Sequence, residues 1–339
     1  MDNQPAAGSY IDITRRHTFG IPTKTFGWQE YASVGELQEL LRGLHSRGVD
    51  FMPIGQGSNL LFLHDYHGVL LHSAIVGIEL IEQAGDSVLV RVGSGVVWDD
   101  FVAYCVTSGW GGVENLSYIP GEVGASAVQN IGAYGVEACD AIYSVEAVDV
   151  TTGHVRNFLS EECAYGYRDS IFKQALRGRY IITYVTYKLS LSPVFRLEYG
   201  NLRQEAGANP TLQSIRDAVI AIRRRKLPET SEMGSAGSFF VNPVIPRRQY
   251  DELLGRYPDM PHYPVDETAV KVPAGWLIDK LGWSGKSRGG AMVYPRQCLV
   301  IVNTGSATAD DVVGLAAEIT RSVWDTYQIE IKPEVNYIG

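Results

Sequence analysis

Between residues 110 and 135 the chain has a stretch that few folds accommodate: it is dense in Gly, Ala, Ser and Asn and poor in charge, yet Ile119, Val123, Val128 and Ile131 still need burial. No amphipathic periodicity runs through it, so an ordinary surface helix or half-buried strand is not expected there. Its centre is YIPGEVGASAVQNIGAYG, residues 118–135. Small residues at Gly121, Gly124, Ala125, Ser126 and Ala127 let the main chain approach a neighbour closely, either a sheet or a flat ring or pyrophosphate. Gln129 and Asn130 add amide donors. Irregular segments of this length inside a domain usually serve a ligand; the plainer alternative is a tight loop packed on a sheet.

A second glycine segment, Pro53-Ile54-Gly55-Gln56-Gly57-Ser58-Asn59-Leu60-Leu61, joins two apolar strand-like runs. Gly55 and Gly57 permit positive φ, so successive N–H groups can converge on an anion, with Ser58 and Asn59 as short polar partners. A simple strand-to-strand turn reads equally well. Neither this segment nor Gly93-Ser94-Gly95 is a dinucleotide GxGxxG, because Leu60 and Trp98 stand where the third glycine belongs. Gly285-Lys286-Ser287 ends like a P-loop, but Lys280 occupies the place of the first glycine. Any nucleotide is therefore bound by another architecture.

Around these segments, Leu37, Leu40, Leu41 and Leu44 predict a helix over 34–47, stopped by Gly48. Further helices are expected at 98–107, at 211–226 before Pro228, near 274–281 and at 309–326, the last burying Val312, Val313, Ala316, Ile319 and Val323. Strand-like runs fall at 51–54, 60–63, 68–71, 75–81, 87–92, 141–150, 180–191 and 328–332. The pattern is α+β, with an N-terminal half ending near 192.

Composition narrows the function. A net charge of -9 argues against nucleic-acid binding, leaving Arg223-Arg224-Arg225-Lys226 as one local basic run. Cys105, Cys139, Cys163 and Cys298 form no CxxC pair and no zinc pattern, which predicts free thiols in a reducing compartment and no metal. The first nine residues do not look like a signal peptide, and no apolar run approaches the ~18 residues of a membrane span. A cytoplasmic protein without membrane contact is expected.

The two loops together resemble those of the UDP-N-acetylenolpyruvoylglucosamine reductase (MurB) family, and the likeness extends from about His17 to the C-terminus. The resemblance implies an FAD-binding domain of the vanillyl-alcohol-oxidase-like (PCMH) type at 21–192, in two subdomains split near 72, after an N-terminal extension at 1–20. It also implies a smaller α+β substrate domain at 193–339 whose last residues return to the active site. FAD would lie against Gly55, Gln56, Gly57, Ser58 and Asn59, and against Tyr118, Ile119, Pro120, Gly121, Gly124, Ala125, Ser126, Gln129, Asn130, Gly132, Ala133 and Tyr134. Many relatives carry glycine in place of Gln56.

The implied reaction is NADPH-dependent reduction of UDP-N-acetylglucosamine enolpyruvate by a monomer. Such chemistry builds charge on the carbon next to a carboxylate, and needs a fixed cation, a hydrogen-bond donor and a proton source. By the resemblance, Arg168 in YRDSIFK, beside Tyr167, holds the substrate carboxylate. Ser238 in GSFFVNP protonates the carbon, and Glu334 in PEV works beside the arginine; the family often has Arg where Asn336 follows. Tyr199 resembles the lid tyrosine that closes over the diphosphate in one subtype, Lys226 the phosphate lysine, and Asn242 faces substrate or serves structure. Out of that context, an isolated Arg is usually a surface ion pair, Ser a cap and Lys226 a solvated helix end. Two rivals remain: a flavin oxidase of the same fold class, and a non-catalytic nucleotide-sugar binder.

Overall fold

The computed structural model describes residues 10–339. By their internal contacts these divide into two compact units, one holding 10–11, 25–56 and 67–223, the other 12–24, 57–66 and 224–339.

The first unit is built on a five-stranded antiparallel sheet, in the order Val155–Leu159, Ile142–Asp149, Tyr180–Ser190, Ser87–Gly93, Ile78–Ala84. The alternation in Ser87–Gly93 sends Val88, Val90 and Val92 to one face, where they are buried. Against them lie Trp98, Phe101, Val102 and Cys105 of the helix Trp98–Thr107, together with Tyr187 and Val185. A second sheet sets Phe51–Ile54 parallel to Tyr66–Ser73, which neighbours Lys24–Tyr31. The helix Val34–Ser46 covers it with Leu37, Leu41 and Leu44. That helix starts where Ser33 accepts from Glu36 N and ends before Gly48, at φ +62.

In the second unit an antiparallel sheet runs Gly234–Ser238, Val300–Asn303, Ala291–Val293, Ser287–Arg288. The helix Ala309–Tyr327 buries Val312, Leu315, Ala316, Ile319 and Val323. A capping box between Thr308 and Asp311 opens it. Asn336–Ile338 pairs in parallel with Leu60–Phe62.

The structure departs from the sequence reading in three places. Residues 110–135 are not purely irregular: they contain a 3-10 turn, Glu114–Leu116, and a helix, Val123–Gln129. Burial, not amphipathic spacing, forms that helix: Val123, Gly124, Ser126 and Ala127 are enclosed, and a Cβ at Gly124 would lie 2.8 Å from the Ser94 Cβ. No strand forms at 328–332. Gln328 takes a left-handed φ of +55 and Pro333 lacks an N–H, so that segment makes only the bridge Phe240–Pro333 before pairing resumes at Asn336. The compact units do not part near 192. Residues 193–223 stay with the first unit, where Leu197, Leu202, Ile215, Val219 and Ile222 form a small cluster against Tyr134.

The four thiols are free, Cys105, Cys163 and Cys298 buried and Cys139 partly so. No helix of the described residues is long and apolar enough to cross a membrane.

Candidate active site

Gly55 and Gln56 belong to the first unit, and Gly57, Ser58 and Asn59 to the second. Each part is tied to a different expected segment. Gln56 Oε1 accepts from Gly121 N at 3.0 Å, so the side chain that departs from the family glycine links the two glycine loops. Beneath Gly55 lies the buried Glu122, whose Oε2 would be 3.0 Å from a Cβ there. Glu122 Oε1 lies 2.9 Å from His72 Nε2, and that hydrogen bond raises the imidazole pKa against the opposing effect of burial.

Tyr118 has a left-handed φ of +60. Its N–H donates to Asp99 Oδ1 at 2.5 Å, while Asp99 takes two bonds from Arg216 at 2.6 and 2.8 Å. Burial pushes the Asp99 carboxyl up, but Arg216, the Tyr118 N–H and the charge of Arg223 outweigh it and hold the carboxyl below its ordinary range. Arg223 Nε donates to Tyr118 O at 2.9 Å, and burial lowers the Arg223 pKa. Arg224, Arg225 and Lys226 are exposed. The sequence drew attention to the basic run for Lys226; Arg223 is its inward member.

Within the helix Val123–Gln129, Ala125 alone of the small residues is exposed. Ser126 is turned inward, with its hydroxyl on Val123 O at 2.7 Å and 3.0 Å from Tyr187 Oη. Asn130 is fully buried and donates to Glu137 and Gly166. Both were expected to face the cofactor, yet their polar side-chain atoms are engaged with the chain itself. Ile119 packs toward the core and Pro120 is exposed. Gly132 and Ala133 form a short pair with Val136–Glu137. Gln129 is half-buried. Tyr134, at φ +49, meets the half-exposed Tyr199 edge-on at 5.8 Å. Tyr167 and Arg168 are half-buried, and Arg168 Nη2 donates to Gly132 O.

In the second unit, Ser238 is the exposed end of its strand, flanked by Gly237 at φ +71 and the buried Phe239 and Phe240. Glu334 stands on the adjoining segment, its N–H on Phe239 O at 2.8 Å and its carbonyl accepting from Asn59 Nδ2 at 3.2 Å. Asn336 returns to Asn59 O through its N–H at 3.0 Å. The glycine-loop residue Asn59, Ser238 and Glu334 are thus set by one continuous backbone network. Asn242 Oδ1 accepts from Ala274 N at 2.9 Å, at the start of the helix Ala274–Lys280. That gives Asn242 a structural job.

These segments suit a cofactor approached by main chain: the turn is small, and Gly57 (φ +62) and Gly121 (φ +131) adopt positive-φ backbone, where a side chain adds strain. Gly57 also abuts its own unit. A Cβ there would fall 2.5 Å from His17 Cβ and 2.7 Å from His17 Cα. Gly57→Ala is therefore expected to cost about 2–4 kcal/mol, from a left-handed residue and an overpacked backbone contact. Urea denaturation checks this, and a loss below about 0.5 kcal/mol would contradict the geometry.

Residues 30–158 match the FAD binding domain family, which places the chain among FAD-binding proteins. Residues 228–338 match the UDP-N-acetylenolpyruvoylglucosamine reductase C-terminal domain. The chain is 49% identical over 328 residues to the UDP-N-acetylenolpyruvoylglucosamine reductase of Bacteroides fragilis, covering 96% of this chain and 98% of that one. It is 49% identical over 329 residues to that of Porphyromonas gingivalis (96% and 97% covered). The reductase of Neisseria meningitidis serogroup B is 42% identical over 332 residues, with 96% of each chain covered. The fold is that of the solved UDP-N-acetylenolpyruvylglucosamine reductase (MurB) from Thermus caldophilus, with a TM-score of 0.66, 23% identity and 98% of each chain covered. The chain belongs to the UDP-N-acetylenolpyruvoylglucosamine reductase family.

Proposed function

We propose that this enzyme reduces UDP-N-acetylglucosamine enolpyruvate to UDP-N-acetylmuramate with NADPH, a step in making the peptidoglycan precursor. The observation that supports the reading is that the segments carrying Ser238 and Glu334 adjoin in the second unit, with the Glu334 N–H on Phe239 O and Pro333 bridged to Phe240, so that a hydroxyl and a carboxyl group stand on neighbouring backbone. FAD, when bound, would supply the redox chemistry between NADPH and the enol ether.

Arg168 holds the substrate carboxylate with its planar guanidinium fork. Ser238 delivers a proton to the carbon beside that carboxylate. A serine hydroxyl is a weak acid, so it acts only on a strongly basic carbon. Glu334 works beside the arginine on the growing enolate. Tyr199 and Lys226 take the diphosphate, and both are exposed. Gly55, Gly121 and Ala125, all in the first unit, would line FAD.

The purified protein is expected to be yellow, to bleach with NADPH without oxygen, and to recover its colour when the enolpyruvyl UDP-sugar is added. Recovery with oxygen alone would favour a flavin oxidase, and a colourless protein that takes up no FAD would remove the reading.

A further inference from the structure

We propose that Asn130 and Glu137 are a positioning device for Arg168, with Glu137 as the counter-ion that aims its guanidinium. The proposal rests on the reading of Arg168 as the cation for the substrate carboxylate. Three segments of the first unit meet at the Asn130 carboxamide. Asn130 follows the helix Val123–Gln129 in a left-handed conformation, φ +47, with no exposed surface. Its Nδ2 donates to Glu137 Oε2 at 3.0 Å and to Gly166 O at 2.8 Å, and its Oδ1 accepts from Cys139 N at 3.0 Å. Both amide hydrogens are thereby used. One bond fixes the Glu137 carboxylate, and the other fixes the residue before Tyr167.

The backbone of Arg168 is held as tightly. Gly166 and Asp169 exchange two backbone hydrogen bonds, 3.1 and 3.0 Å, which puts Tyr167 and Arg168 at the corner of a closed turn. Arg168 sits there at φ +57, a conformation that an arginine keeps only where its surroundings impose it. Lys173 Nζ donates to Arg168 O at 2.7 Å.

The side chain is bracketed too. Its Nη2 donates to Gly132 O, its Nη1 lies 3.8 Å from Glu137 Oε1, and its guanidinium carbon lies 5.1 Å from the centre of the Tyr167 ring. A Cβ at Gly132 would approach Nη1 to 2.6 Å, so the absence of a side chain there makes room for the guanidinium. At 3.8 Å the Glu137 contact is an ion pair longer than a hydrogen bond.

A free arginine side chain spreads over many rotamers, and a cation that must meet charge as it develops is effective only if it is already aimed. Without the Glu137 charge the guanidinium can still reach a carboxylate, but no longer from a fixed direction. The loss therefore falls on the chemical step more than on binding.

The test uses flavin-loaded enzyme and three variants: Glu137→Gln, Arg168→Lys and the pair. Glu137→Gln is expected to bleach with NADPH as the wild type does and to be reoxidised by the enolpyruvyl UDP-sugar about 10–100-fold more slowly, in kcat rather than KM. Calorimetry on the oxidised protein is expected to give a substrate Kd within about threefold of wild type. Glu137→Asp, which keeps the charge, is expected to recover part of the rate. It is read by the same criteria should the glutamine variant lose flavin. Because Glu137 acts through Arg168, the double variant is expected to be no slower than Arg168→Lys alone. Wild-type reoxidation by Glu137→Gln, or a double variant slowed by both factors multiplied, overturns the positioning role. If instead Arg168→Lys reoxidises normally, or the wild type does not react with the sugar, the reading of Arg168 itself falls and the proposal with it.

Discussion

Replacing Ser238 with alanine is expected to leave bleaching by NADPH unchanged and to slow reoxidation by the enolpyruvyl UDP-sugar by about 10²–10⁴-fold, the usual worth of a positioned general acid. The two half-reactions separate because only the second ends with a proton on carbon. The change is also mild for the fold. Ser238 is exposed, and the strand is anchored by its neighbours Phe239 and Phe240, both buried, with Phe239 N on Leu299 O at 2.6 Å. Rapid mixing of pre-reduced enzyme with substrate gives the rate directly. Reoxidation of the alanine variant at the wild-type rate would take Ser238 out of the chemistry and leave the proton to come from another group.

How far the sequence revealed this arrangement varies with the physical origin of each part. The helices Val34–Ser46, Trp98–Thr107, Leu212–Lys226 and Ala309–Tyr327 were legible to within a residue or two, because each has an apolar stripe and recognisable ends. The edge strand Val155–Leu159 was not, since only Phe158 in it is buried and no alternation marks it. The helix Val123–Gln129 was hidden for the opposite reason: enclosure on nearly every side erases the periodicity that reveals a surface helix.

The site divides in the same way. Arg168, Ser238 and Glu334 stand in motifs whose residue types suit the chemistry. Asn130 and Ser126 look like ligand donors in sequence, because their amide and hydroxyl are counted without knowing that Glu137, Gly166 and Tyr187 already use them. Glu137 and Arg223 carried no local signal. One follows a tight turn and the other is the inward member of a basic run, and only the tertiary contacts of each set it apart. Gln56, a departure from the family glycine, gains its meaning from the bond to Gly121 N.

Trp98→Ala is expected to produce the largest loss of stability among single substitutions near the site. The indole is fully buried, with ring centres 5.7 Å from Phe101 and 6.0 Å from Tyr187. Truncating a buried Trp costs about 3–5 kcal/mol through lost transfer energy and the cavity left behind. Polar anchoring adds to it: Nε1 donates to Leu116 O at 2.8 Å, and the Trp98 N–H donates to Gly121 O at 3.0 Å. Alanine keeps the second bond and orphans the Leu116 carbonyl, worth about 1–3 kcal/mol if no water replaces the indole. Leu116 and Gly121 bracket residues 118–120, so the same substitution loosens the segment expected to lie along the cofactor. Flavin content is expected to fall together with the urea midpoint. Trp324 supplies the contrast: it is 48% exposed on the helix Ala309–Tyr327, and its truncation is expected to cost less than about 1 kcal/mol. Because burial and the Leu116 bond are what separate the two tryptophans, equal losses in Trp98→Ala and Trp324→Ala would contradict the packing described for the first unit. Trp98→Phe, which refills most of the cavity but still orphans the carbonyl, is expected to fall between wild type and Trp98→Ala and so to separate the packing contribution from the hydrogen bond.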